Sequence, residues 1–400
     1  MKLYPEHSEA RTRLATVLLA AVSVLSAAAW GQVPAATSHS QLTKRIVGDY
    51  SYSSKYQTPP YSAKQIPYSK LTHIIHFGVG FNSDGSLAVP DGFLEPTLIR
   101  KAHKNGVKVL LGVGGDFPML DNQPDLMATL VANLWTFANE YGYDGIDIDW
   151  EYPTLEETNT FYGLMVDLRA TFTSPDYLIS ADVPPWGGSA GAGTGYAIPQ
   201  VDSYLDYFNI MQYDCAGPWT QDGQLNSEII WDPSDPDPWE CQPGGAANEA
   251  IAIFLQEGVS PSQLNMGSPF YGYVYNDVSQ LFGECADASH MKNGNCDGSV
   301  YAENYGTFFK QRINKKGWQT FYDEVAMVPY MLRTDGKPGF ITYDDAYSTY
   351  YRVWYADWQS NLGGTFMWSL DADYDGQSQD LLDAMYSASL PPTNSASSVK

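Results

Sequence analysis

Eight short apolar runs punctuate the chain, and stretches with helical spacing separate most of them. The runs are Arg45–Tyr50, Leu71–Val79, Lys108–Val113, the segment around Asp144–Trp150, Leu178–Val183, Tyr207–Tyr213, Leu264–Tyr271 and Gly364–Leu370. Runs this short and this continuously apolar suit strands covered on both faces. Strands alternating with helices imply a parallel sheet. Eight such units in 400 residues favour a closed (β/α)8 TIM barrel over an open doubly wound sheet. No G-x-G-x-x-G opens the first helix, which weakens the nucleotide-binding alternative. The helical stretches carry matching boundary signals. Pro96 and Gly106 bracket a helix over Glu95–Asn105, Gly142 stops one over Pro124–Tyr141, and Thr154 with Glu157 forms a capping box for one reaching Phe172. Further helices are expected over Ala246–Gln256 and Ser378–Ser387.

The rhythm breaks once, between the seventh and eighth strands, where residues 273–340 are rich in Tyr, Asn and Gly. This segment is expected to be a small inserted α+β lobe, with the barrel occupying 45–272 and 341–388. The Pro/Ser-rich residues 389–400 read as a disordered tail, and 32–44 as a polar leader. Lys2, Arg11 and Arg13 precede an apolar stretch, Leu14–Ala29, that ends in three alanines. That pattern predicts a cleaved signal peptide over 1–31 rather than a spanning helix, and hence a secreted protein without stable membrane association. A formal net charge of -24 argues against nucleic acid and anionic membrane as partners but leaves a neutral polymer open. The 29 Tyr and 11 Trp serve core packing and also suit flat, amphipathic faces such as sugar rings. Four cysteines in a secreted chain suggest two disulfides; the sequential pairing, Cys215–Cys241 and Cys285–Cys296, closes the shortest loops. There is no N-glycosylation sequon, and the cysteine spacing does not suit zinc. The sequence sets no oligomeric state.

The fourth run, Asp-Gly-Ile-Asp-Ile-Asp-Trp-Glu-Tyr-Pro, holds the chemistry. Asp147, Asp149 and Glu151 stand at alternate positions, so in a strand they share one face, with Ile146, Ile148 and Trp150 on the other. One reading is an amphipathic strand with a solvated acidic face. The other is a row of inward carboxylates at a barrel mouth. Like charges so close share protons, which leaves one carboxyl protonated near neutral pH as a general acid. Asp144 has the opposite parity and reads as a structural backbone acceptor. His73 and His76, three apart on a strand, face opposite ways and read as core histidines rather than a metal pair.

A barrel places its site at the C-terminal strand ends. Those ends carry Gly112-Val113-Gly114-Gly115, the acidic row, Met211-Gln212-Tyr213-Asp214, Pro269-Phe270-Tyr271-Gly272 and Trp368. Together with Tyr343-Asp344-Asp345, this set resembles the family 18 glycoside hydrolases, the chitinases, whose D-x-x-D-x-D-x-E signature matches Asp144, Asp147, Asp149 and Glu151. The resemblance implies a chitinase acting on chitin or chitooligosaccharides, with no cofactor and no metal. It also implies substrate assistance, in which the sugar's own N-acetyl oxygen attacks the anomeric carbon and the configuration is retained. By that resemblance Glu151 is the acid and later the base, and Asp149 orients the acetamide. Asp147 shares a proton with Asp149, and Tyr213 donates to the acetamide oxygen. Asp214 touches the sugar or its acetamide, Trp368 floors the ring, and Tyr50, Phe77, Met211 and Tyr271 wall the pocket. Trp186 and Trp219, in loops on the same side, are candidates to stack on flanking sugars. Two positions depart from the family pattern: Gly112 stands where Ser is usual, and Tyr273 where Arg often follows Tyr-Gly. An endo-β-N-acetylglucosaminidase acting on N-glycans and a chitin-binding lectin-like barrel are the alternatives.

Overall fold

The computed structural model describes residues 42–188, 194–233, 245–285, 296 and 299–392. The expected signal peptide, nearly all of the leader, Cys241 and the tail from 393 lie outside them.

Eight parallel strands close on themselves: β1 (Arg45–Ser51), β2 (His73–Phe81), β4 (Lys108–Val113), β5 (Gly145–Asp149), β6 (Leu178–Val183), β7 (Tyr207–Ile210), β8 (Leu264–Pro269) and β14 (Gly364–Trp368). Strand β1 pairs with both β14 and β2, so no edge remains. A two-residue strand, β3 (Leu87–Ala88), adds an antiparallel turn to β2. The molecule is a TIM barrel. Its helices are α1 (Pro96–Lys104), α2 (Pro124–Tyr141), α3 (Thr158–Thr171), the short α4 (Ile198–Val201), α5 (Ala247–Gln256), α6 (Ala346–Trp354) and α7 (Asp380–Ser389). Helix α2 ends because Gly142 adopts φ 81° and returns its N–H to the Ala138 carbonyl. The Thr154–Glu157 capping box forms and leads through a short 3₁₀ turn into α3.

Strand alternation makes two cores. Val47, Ile75, Leu110, Tyr207 and Phe366 point inward and fill the barrel. Ile46, Ile74, Val109, Ile146 and Ile148 point outward and pack against the helices. His76 belongs to the outer set, fully buried, with its ring stacked 4.1 Å from that of Phe93 and its Nδ1 bonded to the Tyr143 hydroxyl.

Two strands are shorter than the apolar runs suggest. Strand β7 stops at Ile210, and the chain turns at Asp214, φ 62°, whose N–H donates to Asn226 Oδ1. Strand β8 stops at Pro269, and Tyr271 opens a second sheet. That sheet is antiparallel, in the order β10 (Val300–Asn304), β9 (Tyr271–Tyr275), β13 (Phe340–Thr342), β12 (Val328–Arg333) and β11 (Trp318–Asp323). Its first and last strands in the chain, β9 and β13, lie side by side, with Thr342 opposite Tyr273. Cys285 and Cys296 are disulfide-bonded with their Cα atoms 5.8 Å apart, and Cys215 is disulfide-bonded as well.

Helix α6 is tied to the barrel by a buried polar network. Asp345 caps it, accepting the Tyr347 and Ser348 N–H groups at 2.9 Å. Two turns in, Arg352 donates to Gln212 Oε1 and the Ser227 carbonyl and pairs with Asp344 at 3.4 Å, both side chains fully buried. Asp344 in turn accepts from the Ser227 and Ser348 hydroxyls. The Tyr343-Asp344-Asp345 motif therefore builds a helix start and a buried ion pair. Among the described residues no helix is long and apolar enough to cross a membrane.

Candidate active site

Strand β5 runs its three carboxyls up the barrel axis. Trp150 anchors the opposite face: its ring stacks on Phe117 at 5.0 Å, and its carbonyl accepts the Tyr196 hydroxyl. Asp144, at the foot of the strand, accepts the Val109 N–H at 2.8 Å and pairs with Lys108 and His103. Asp147 is fully buried, with Oδ1 accepting from Ser180 and from Asn209. Burial pushes its carboxyl up to about 7, against the pull of the Ser180 hydroxyl. Asp149, next along, hydrogen-bonds Glu151; burial, then the Glu151 and Asp147 charges, raise it well above the usual carboxylate range. Glu151 emerges at the barrel mouth, exposed to solvent.

The mouth opens into a cavity of about 410 Å³. Asp149, Glu151, Met211, Tyr213, Asp214, Tyr271 and Trp368 all line it. Tyr271 and Tyr273 both donate to Asp214 Oδ1, the latter at 2.7 Å. Burial raises the Asp214 carboxyl and these two phenols pull it back. At the position where the family pattern has a guanidinium, this chain therefore holds Asp214 with neutral hydroxyls. Tyr273, Ala302 and Asn304 bring the antiparallel sheet to the cavity as one wall. Tyr152 and Trp186 form another, their rings 5.8 Å apart. Trp219 packs edge-on to Tyr273 and does not reach the cavity lining.

Three expected site residues lie elsewhere. Asp147 sits beneath the cavity rather than on it. Phe77 is in the barrel interior, edge-on to Trp368 at 5.6 Å, and supports that ring from the side. It also accounts for Gly112: a Cβ there would lie 2.9 Å from the Phe77 ring and from Ile75. Tyr50 is not a pocket wall. It faces the helices, stacked on His76 at 5.5 Å, and its hydroxyl donates to Glu95 at 2.7 Å. Parity is the reason. Val47 faces inward, so Asp49 does too and Tyr50 cannot.

Sequence reasoning passed over Asp49 and Asp182, which bring two more acids to the row. Asp182 is opposite Asp149 in register, lines the cavity and accepts from Asn209 at 2.9 Å. Asn209 in turn accepts from Asn265. Burial, then neighbouring carboxyls, hold both Asp49 and Asp182 well above the usual range. The signal for both was in the sequence, as an acid at an inward position of an otherwise apolar run. No group of acids, histidines or cysteines among the described residues has the arrangement of a metal site.

Comparison with known proteins gives a consistent result. The model of the family described as glycosyl hydrolases family 18 matches residues 45–373. Chitinase B of Serratia marcescens is 25% identical over 342 residues, covering 71% of this chain and 68% of that protein. Chitinase A1 of Niallia circulans is 28% identical over 315 residues, 70% of this chain; the match spans only 42% of that protein. The fold superposes on the group IV chitinase of Ostrinia furnacalis, solved in complex with allosamidin. That superposition has a TM-score of 0.75 at 23% identity and covers 86% of this chain and 98% of that one.

Proposed function

The chain belongs to the glycosyl hydrolases family 18, and from that premise we propose that it is a secreted chitinase cutting β-1,4-linked N-acetylglucosamine polymers with retention of configuration. The observation that carries the reading is the contact between Glu151, exposed in the cavity, and Asp149 beneath it, with no second free carboxylate needed across the bond. Glu151 protonates the glycosidic oxygen as that bond breaks. The acetamide oxygen of the sugar attacks the anomeric carbon and closes an oxazolinium ring. Asp149 accepts the acetamide N–H, which aims the oxygen and offsets the positive charge. Glu151, now a carboxylate, takes a proton from the water that opens the ring. Asp147 holds the proton that Asp149 does not need. Tyr213 donates to the acetamide oxygen, Asp214 binds the sugar, and Trp368, braced by Phe77, lies under the ring. Met211 and Tyr271 complete the walls, and the 273–340 lobe deepens the groove.

The test is the product profile on chitohexaose, with anomers followed by NMR, beside fully deacetylated chitosan and an N-glycoprotein. Cleavage of the acetylated oligomer to the β anomer, with chitosan resistant, is expected. An α-anomeric product, or equal cleavage of chitosan, would refute the acetamide mechanism. Cleavage of the glycoprotein alone would favour the glycan-trimming reading, and binding without cleavage the lectin reading.

A further inference from the structure

Asp49 is a buried carboxyl that the mechanism above leaves without a role. It is fully buried, and neither of its oxygens meets a hydrogen-bond partner among the described residues. Asp147 Oδ2 is likewise buried and unpartnered, while Asp149 contacts Glu151. The charges acting on Asp49 come from Asp147 and Asp149 on β5, and Asp49 itself acts on Asp182 of β6 and on Tyr213 after β7. Its inward neighbours from β2 and β14 are apolar, among them Ile75, Phe77 and Phe366. No Lys, Arg or His is among the charges acting on it.

Adjacent carboxyls in such a place do not all ionise, and a protonated one is a hydrogen-bond donor. We propose that Asp49 is a positioning residue: as a neutral acid it turns to donate to Asp147 once bound substrate commits Asp149 to Glu151 and the acetamide, and so holds Asp149 in its working orientation. This inference rests on the functional reading above. It makes Asp49 a second partner for Asp147, used in alternation with Asp149, and assigns the unpartnered oxygens of both residues a common purpose.

The decisive comparison is Asp49→Asn against Asp49→Leu in the full chain, with kcat and KM on chitohexaose measured across pH. Asn keeps a donor that cannot ionise; Leu has none. Asp49→Leu should lower kcat by about tenfold or more with KM little changed, since one donor to a buried carboxyl is lost. Asp49→Asn should retain kcat near its optimum and carry its alkaline limb to higher pH, because its donor survives where that of Asp49 is lost. Equal kcat for the two variants, or an alkaline limb of Asp49→Asn superposing on wild type, overturns the proposal. Should Asp49→Leu fail to fold, the pH profile of Asp49→Asn decides alone. A carboxyl ¹³C NMR titration gives the same decision without turnover. A protonated aspartate persisting above the ordinary carboxylate range, and missing from Asp49→Asn, is expected; an Asp49 that ionises within that range overturns it. Inactive wild type would sink the functional reading, whereas active wild type with indifferent Asp49 variants would sink only this one.

Discussion

Replacing Arg352 by Met should destabilise the barrel and disturb the segment that carries Tyr213. The guanidinium is fully buried and joins Gln212, the Ser227 carbonyl and Asp344. Methionine fills much of the same volume, so the cost is electrostatic: Asp344 is left as a buried charge, and two acceptors lose a donor. Removing one partner of a buried pair costs about 3–5 kcal/mol. With an unfolding entropy of about 2.1 cal/mol/K per residue, a 400-residue chain loses about 4–6 °C in Tm for that energy. Scanning calorimetry measures it directly. The double variant Arg352→Met/Asp344→Asn removes the stranded charge and should recover at least half the loss. Since Gln212 stands between Met211 and Tyr213, kcat of the single variant should fall along with its Tm. A Tm within about 1 °C of wild type, or a double variant no better than the single, would refute the reasoning, because either result means the pair contributes little here.

Two further outcomes are expected. Glu151→Gln should leave the calorimetric transition in place while lowering chitohexaose turnover by about 10²–10⁴, the range for a lost general acid; near-normal turnover contradicts the role given to Glu151. Asp147, Asp357 and Asp373 are each pushed up to about 7 by burial. Between about pH 4 and 7 the unfolded chain has released these protons and the folded chain still holds them, so these groups make stability fall as pH rises. Tm should therefore decline across that window, and Asp357→Asn should flatten the slope; an unchanged slope argues against a neutral Asp357.

The fold was legible because the strands are buried on both faces and therefore apolar throughout, as in Lys108–Val113 and Leu178–Val183, whose bounds the structure reproduces. Strand ends were harder to read. Apolar character continues into Met211, Tyr213 and Tyr271 because those residues line a cavity or enter a second sheet, so hydrophobicity alone does not mark where pairing stops. Within the acidic row, period-two alternation was enough to align Asp147, Asp149 and Glu151. The same rule, applied to β1, separates Asp49 from Tyr50, and there the aromatic residue drew attention away from the acid. Helix α6 had only a tyrosine-rich sequence to announce it, and its cap at Asp345 is recognisable only once the Ser348 contact is known.

The pairing of β9 with β13 has a consequence for how this architecture can change. Because the strands that leave and re-enter the barrel are hydrogen-bonded to each other, the polypeptide between them hangs from a clamped neck. Beyond the neck the inserted sheet is tied to the rest of the chain at a few further points, among them the Gly306 N–H on the Ala372 carbonyl and Lys310 paired with Asp375 and Asp380 at 2.8 Å. Away from those ties, as at the exposed turn around Gly336 between β12 and β13, the lobe can thus be lengthened, shortened or exchanged while the eight-stranded ring and its acids keep their register.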